Sequence, residues 1–308
     1  MHRTFNVSIP PSCTGPLIDQ LQAMPDVIGL SVERGTSLKP AGDVLILQVL
    51  NRGTDDVLQC IATRCQGQPF SIATSELASL IDPSNHYRIE KDYDEAIWEE
   101  MEAGLRHNGR LTPNYIALMG IGGMIAAVGL VSEPAPQAVS FVAAAVLAPG
   151  FDPLAKVSLG ITNRRAHLVL YGIRNSLLGY LTLIIVAGLS FWLMQLTGAT
   201  TVHEFTSNPE IESLSNPGTK QYMLSLGGAL AGAIIVASYR DSFIAGAMMA
   251  LASIHSAAMI GVSIAASDWG NAWQGTERFG VDVLVVLISC YAVFGLKQRF
   301  VHRRQPIV

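Results

Sequence analysis

Ser176-Leu177-Leu178-Gly179-Tyr180-Leu181-Thr182-Leu183-Ile184-Ile185-Val186-Ala187-Gly188-Leu189-Ser190-Phe191-Trp192-Leu193-Met194-Gln195-Leu196 contains no charged side chain. As a helix, about 20 such residues rise far enough to cross the roughly 30 Å hydrocarbon core of a bilayer. Five further apolar runs surround it, at residues 114–131, 137–161, 222–238, 242–266 and 281–296. The fourth and sixth runs in chain order are short, yet still within reach of a spanning helix. An α-helical membrane protein with six transmembrane helices is therefore expected.

The charges between the runs give an orientation. Arg106 and Arg110 precede the first run, and Arg164, Arg165 and Arg174 follow the second. Arg240 lies in the fourth turn, and Lys297, Arg299, Arg303 and Arg304 follow the sixth run. The alternate connections hold Glu133, then Glu204, Glu210, Glu212 and Lys220, then Asp268, Glu277 and Arg278. Lys and Arg accumulate on cytoplasmic loops, so both termini are expected inside, in a bacterial cytoplasmic membrane. Lys220 and Arg278 stand on the opposite side, each near an acid. The formal net charge of −4 gives no reason to expect nucleic-acid binding. Residues 1–16 lack an apolar core behind a basic start, so no signal peptide is expected.

Residues 1–80 read differently. Phe5, Val7 and Ile9 alternate in a strand over 4–9, and Leu17, Ile18, Leu21 and Met24 share a helix face over 12–24. A second strand is expected over 27–33, a central one over 44–50, a helix from Thr54 towards Gly67, and a last strand over 70–74. The order βαββαβ is that of a ferredoxin-like α+β domain, a regulatory or oligomerising module or else an anchor. Residues 81–112 form an acidic linker in which Tyr93, Ile97, Met101 and Leu105 mark one face of a helix over 91–109. The transmembrane domain then occupies 113–300, and 301–308 form a basic tail. Cys13, Cys60, Cys65 and Cys290 imply no disulfide framework.

Six spans divide into two halves of three, and an odd number per half makes the halves inverted repeats, as in many transporters. Residues 141–157 can be laid without gaps on 243–259, which sets His255 opposite Pro153. Within the second run, Ala148-Pro149-Gly150-Phe151-Asp152-Pro153-Leu154-Ala155-Lys156 predicts a helix break, because Pro149 and Pro153 lack amide donors and Gly150 is permissive. Asp152 is expected to cap the second half-helix, with Pro153 opening it and Lys156 on the same face. These residues form either a ligand or ion site or an ion pair that fixes packing. Ser253, His255 and Ser256 occupy the matching zone, His255 as a proton carrier or a packing histidine. Asp282 either lines the pathway or marks the outer interface. The spacings Gly228/Gly232 and Gly122/Ala126 allow close helix contacts.

Several stretches carry a resemblance. Trp98-Glu99-Glu100-Met101-Glu102, Ile125-Ala126-Ala127-Val128-Gly129-Leu130, Ala148-Pro149-Gly150-Phe151-Asp152-Pro153 and Asp268-Trp269-Gly270-Asn271-Ala272-Trp273 resemble the bacterial domain-of-unknown-function family 389, whose members are labelled uncharacterised hydrophobic membrane proteins. The likeness covers roughly residues 95–300, and the soluble domain is similar to one many members carry. Members usually show Gly-Pro-Glu-Phe-Gly-Pro at the break. Here position 150 is glycine and the acid is Asp152. A proline common in the fifth run is replaced near His255. The resemblance implies architecture and supplies no activity.

The expected function is transport of an ion or small polar solute, as a carrier or channel, by a homo-oligomer in the lipid bilayer with a cytoplasmic regulatory domain. The alternative is a membrane sensor or scaffold without transport. No HExxH, GxSxG, Walker or dinucleotide motif is present, and His203-Glu204 lacks a second histidine. No enzyme activity, cofactor or metal is expected.

Overall fold

The computed structural model describes residues 2–77, 79–92, 95–238 and 243–307. Tyr93 of the linker stripe, and Arg240 and Ser242 at the fourth turn, lie outside them. The chain divides into two compact units, residues 1–99 with 298–308 and residues 100–297.

The first unit is built on β1 (Arg3–Ile9), α1 (Pro11–Ala23), β2 (Val27–Leu38), β3 (Ala41–Val49), α2 (Thr54–Arg64) and β4 (Ser71–Glu76). The sheet order is β2-β3-β1-β4, every pair antiparallel. This is the split βαβ arrangement expected from the element order. Strand period two sends Phe5, Val7 and Ile9 of β1 and Leu45, Leu47 and Val49 of β3 to one face, where all are fully buried. Leu17 and Leu21 of α1 and Val57 and Ile61 of α2 close that core. Cys65 is buried there too; burial, together with Cys13 beside it, pushes its thiol up to about 12, so it serves as a small hydrophobe.

The linker is less continuous than its periodicity suggests. It contains α3 (His86–Glu90) and α4 (Trp98–Asn108), with Lys91, Asp92 and residues 95–97 outside either helix. Asp92 explains part of this. Its carboxylate accepts from the Asn51 amide at 2.6 Å and contacts His2 at 3.1 Å, which turns it back towards the sheet.

The C-terminal tail folds onto this same unit. Arg304 donates to Asp55 at 2.7 Å and to Glu99 at 2.5 and 2.7 Å, and Glu99 also accepts from the Ile307 amide. His302 lies 2.9 Å from Asp55 and meets the Trp98 ring edge-on. Burial raises the cost of ionising Asp55 and Glu99, but His302 and Arg304 outweigh it at Asp55, and Arg304 does so at Glu99. Both carboxyls are held below their usual range.

The second unit is helical. After α4 come α5 (Pro113–Leu130), α6 (Pro134–Leu147), α7 (Phe151–Thr162) and α8 (Ala166–Leu196). The short α9 (Val202–Thr206) and α10 (Pro209–Ser215) lead to α11 (Thr219–Ser238), α12 (Phe243–Ala265) and α13 (Trp269–Phe300). By length and hydropathy α5, α8, α11 and α13 can each cross a membrane, and the bent pair α6–α7 brings the number to five among the described residues. In α12 the described apolar part is Ser253–Ala265. Thr112 caps α5 by accepting from the Tyr115 amide at 3.1 Å. Small residues let the helices close up: a Cβ on Gly122 would lie 2.6 Å from that of Ala148.

Two turns in this unit match, 103 residues apart. Leaving α7, the amides of Asn163, Arg164 and Arg165 reach the carbonyls of Leu159, Ile161 and Gly160. Leaving α12, those of Ala266, Ser267 and Asp268 reach Val262, Ile264 and Ser263. Arg164 and Ser267 are the two non-glycine residues with positive φ among those described, at 55° and 60°. The contacts beyond the turns match too. Gly172 packs against Val157 as Gly275 does against Ile260. Ser158 donates to the Leu287 carbonyl at 2.9 Å, and Gly261, 103 residues after Ser158, presses on the carbonyl of Ile184, 103 residues before Leu287. The shift is one residue more than the gapless alignment, so Ser256 rather than His255 falls opposite Pro153.

Candidate functional site

The break expected in the second run is present. α6 ends at Leu147, α7 starts at Phe151, and their axes differ by 47°. Pro149 lies in the break, where its missing donor costs no helix bond. Gly150, not Asp152, is the N-cap. Asp152 and Pro153 instead sit in the first turn of α7, where a carboxylate suits the helix dipole and proline breaks no helix bond. Gly150 also serves a contact: a Cβ there would lie 2.6 Å from the Tyr180 hydroxyl.

From that hydroxyl a chain of buried polar groups runs through the unit. Tyr180 of α8 shares a hydrogen bond of 2.9 Å with Ser253 of α12. The Ser256 hydroxyl lies 3.3 Å from the Ser253 carbonyl and 3.2 Å from Asp282 Oδ2 of α13. Arg278, one helical turn before Asp282, donates Nε–H to Oδ2 at 3.1 Å. Ser225 of α11 joins the pair: it donates to Asp282 Oδ1 at 3.1 Å and accepts from Arg278 Nη2 at 2.7 Å. The Tyr222 ring lies 4.9 Å from the guanidinium carbon. Arg278 is 5 % and Asp282 2 % exposed, so the pair is enclosed by helices.

The other expected residues lie apart from this chain. His255 stacks on Phe141 with ring centroids 3.9 Å apart, its Nε2 3.3 Å from the Phe141 carbonyl. Asp152 accepts from Asn108 at 3.5 Å, a long contact. Lys156 is buried, with Glu102 and Arg106 of α4 among the charges that act on it. Among the described residues no ion pair joins Asp152 to Lys156. Three members of the chain escaped the sequence reading: Tyr180, Ser225 and Arg278. Arg278 and Asp282 are four residues apart, a usable signal, but the sixth apolar run starts at residue 281, whereas α13 starts at Trp269. No cluster of His, Cys, Asp and Glu able to hold a metal is present among the described residues.

An α+β domain followed by several membrane-length apolar helices, one of them broken beside a buried polar chain, defines a polytopic helical membrane protein. The model of the family described as "Domain of unknown function (DUF389)" matches residues 145–288, from the last turns of α6 into α13. Over this region, just under half of the chain, the sequence is similar to that family. No curated protein and no solved structure matches it.

Proposed function

We propose that the protein carries an ion or small polar solute across a bacterial cytoplasmic membrane, with six spans, both termini inside, and no enzymatic step. The observation that carries this reading is the polar chain from Gly150 to Arg278. A broken helix and an ionised pair among apolar helices are costly, and in transporters such features mark the solute path. The recurrence of turns and contacts 103 residues apart supports two inverted repeats, α5–α8 and α11–α13, able to rock against each other around the path. The α+β unit is then a regulatory or oligomerising module of a homo-oligomer.

The test is uptake or current in proteoliposomes, across a screen of inorganic ions and small organic solutes. A carried solute, with flux reduced by Tyr180→Phe and changed by Asp152→Asn or Lys156→Gln, supports the reading. Absence of flux across the screen in well-folded protein removes it. One observation favours a sensor instead: the chain on both sides of the membrane helices is built into the same α+β unit, as in a device that reports on a ligand there.

A further inference from the structure

Arg278 has one edge left over. Its Nε is bound to Asp282 and its Nη2 to Ser225, but Nη1 is buried with no hydrogen-bond partner among the described residues. The Tyr222 ring lies against the guanidinium and supplies no lone pair. A buried cationic N–H without an acceptor is an expensive feature that calls for a cause. The matching half has no such group: 103 residues earlier stand Asn175 and Gly179, a neutral amide and a residue without a side chain. The charged pair therefore distinguishes one repeat within an otherwise matching frame.

We propose that the Nη1 edge of Arg278 receives a small monovalent anion, admitted when Asp282 takes up a proton. This deepens the transport reading and rests on it only for the anion's route to the site. Charge sets the ligand class. The pair is neutral as it stands, and protonating Asp282 leaves one positive charge, which one negative charge cancels. A dianion would leave an uncompensated charge among apolar helices. The balance is simple: one proton from water binds the Asp282 carboxylate, one anion binds the guanidinium, and no covalent bond other than O–H forms. The groups facing Asp282 fit this role. Arg278 lies on its own helix, Ser225 and Tyr222 come from α11, Ser256 from α12 and Tyr180 from α8. No second acid faces it among the described residues; His255 turns to Phe141, and Asp152 to Asn108.

The experiment is calorimetric titration of sodium nitrate into the full chain in lipid nanodiscs between about pH 7.5 and about pH 5.5, with sulfate as the dianion comparison. One linked proton gives about a tenfold gain in nitrate affinity per pH unit of acidification. Asp282→Asn should bind nitrate at neutral pH with that slope abolished. Arg278→Gln combined with Asp282→Asn, which removes both charges and so keeps the fold, should not bind. Nitrate binding that survives in the double variant, a slope that persists in Asp282→Asn, or sulfate binding as well as nitrate would overturn the proposal. Flux of a cation or neutral solute with no anion binding would remove this inference and leave transport standing. Nitrate binding with no flux of any solute would do the reverse.

Discussion

Gly261→Ala should drive α8 and α12 apart. A Cβ at Gly261 would sit 2.0 Å from the Ile184 carbonyl oxygen and 3.0 Å from the Gly188 nitrogen, and one at Gly188 would sit 2.7 Å from the Gly261 oxygen. Carbon and carbonyl oxygen pack no closer than about 3.3 Å, so the backbones must separate by roughly 1.3 Å. Overpacking of this kind costs about 1–3 kcal/mol, and lost Cα–H···O contacts add about 0.5–1 kcal/mol. Alanine returns about 1 kcal/mol of helix propensity, which a control removes from the comparison: Gly280→Ala in α13 gains the same propensity and meets nothing within 4 Å. Gly261→Ala should therefore be less stable than Gly280→Ala by about 2–4 kcal/mol. At roughly 2–4 °C per kcal/mol for a unit of this size, their melting temperatures in lipid nanodiscs should differ by about 4–16 °C. Equal melting temperatures would refute the backbone contact, and with it the helix crossing that brings Tyr180 to Ser253.

Arg278→Gln leaves Asp282 buried without its partner and should cost about 3–5 kcal/mol in denaturant unfolding, most of it recovered when Asp282→Asn is added. Tyr180→Phe deletes the hydrogen bond to Ser253 and should cost about 1 kcal/mol by the same measurement. In the tail, the depressed Asp55 and Glu99 values mean that docking is stabilised fully above the ordinary carboxylate range, roughly pH 4, and loses that support as pH falls through the lower folded values. Protection from hydrogen exchange at residues 301–307, taken relative to the intrinsic rate at each pH, should therefore be high at neutral pH and fall on acidification. Arg304→Ala should lower it at neutral pH, since charge-assisted bonds contribute about 1.5–3 kcal/mol.

The membrane character, the α+β order and the broken helix were all legible in the chain because each is local. Apolar length marks a span, period-two alternation marks Phe5–Val7–Ile9, and Pro149 with Gly150 marks a break. The polar chain was not legible in the same way. Tyr180 looks like one more aromatic in an apolar run until Ser253 arrives from a helix 73 residues away in sequence. His255 falls opposite Pro153 in the gapless alignment, one residue from the spacing at which the two turns match, and its stacking on Phe141 depends on how two distant helices rotate. Arg278 was read as a loop charge because hydropathy marks where apolar residues begin, while a helix continues as long as its backbone hydrogen bonds do.

The docked tail also restricts how the polypeptide can be threaded through lipid. Residues 2–99 and 298–307 make one folded body, and a water-soluble body occupies a single compartment. The strand that leaves it must come home on the side from which it set out. Under the six-span reading proposed above, the passages are even in number, as that return requires. If the bent pair α6–α7 goes through, α12 goes through as well; if the pair dips in and turns back, α12 turns back with it.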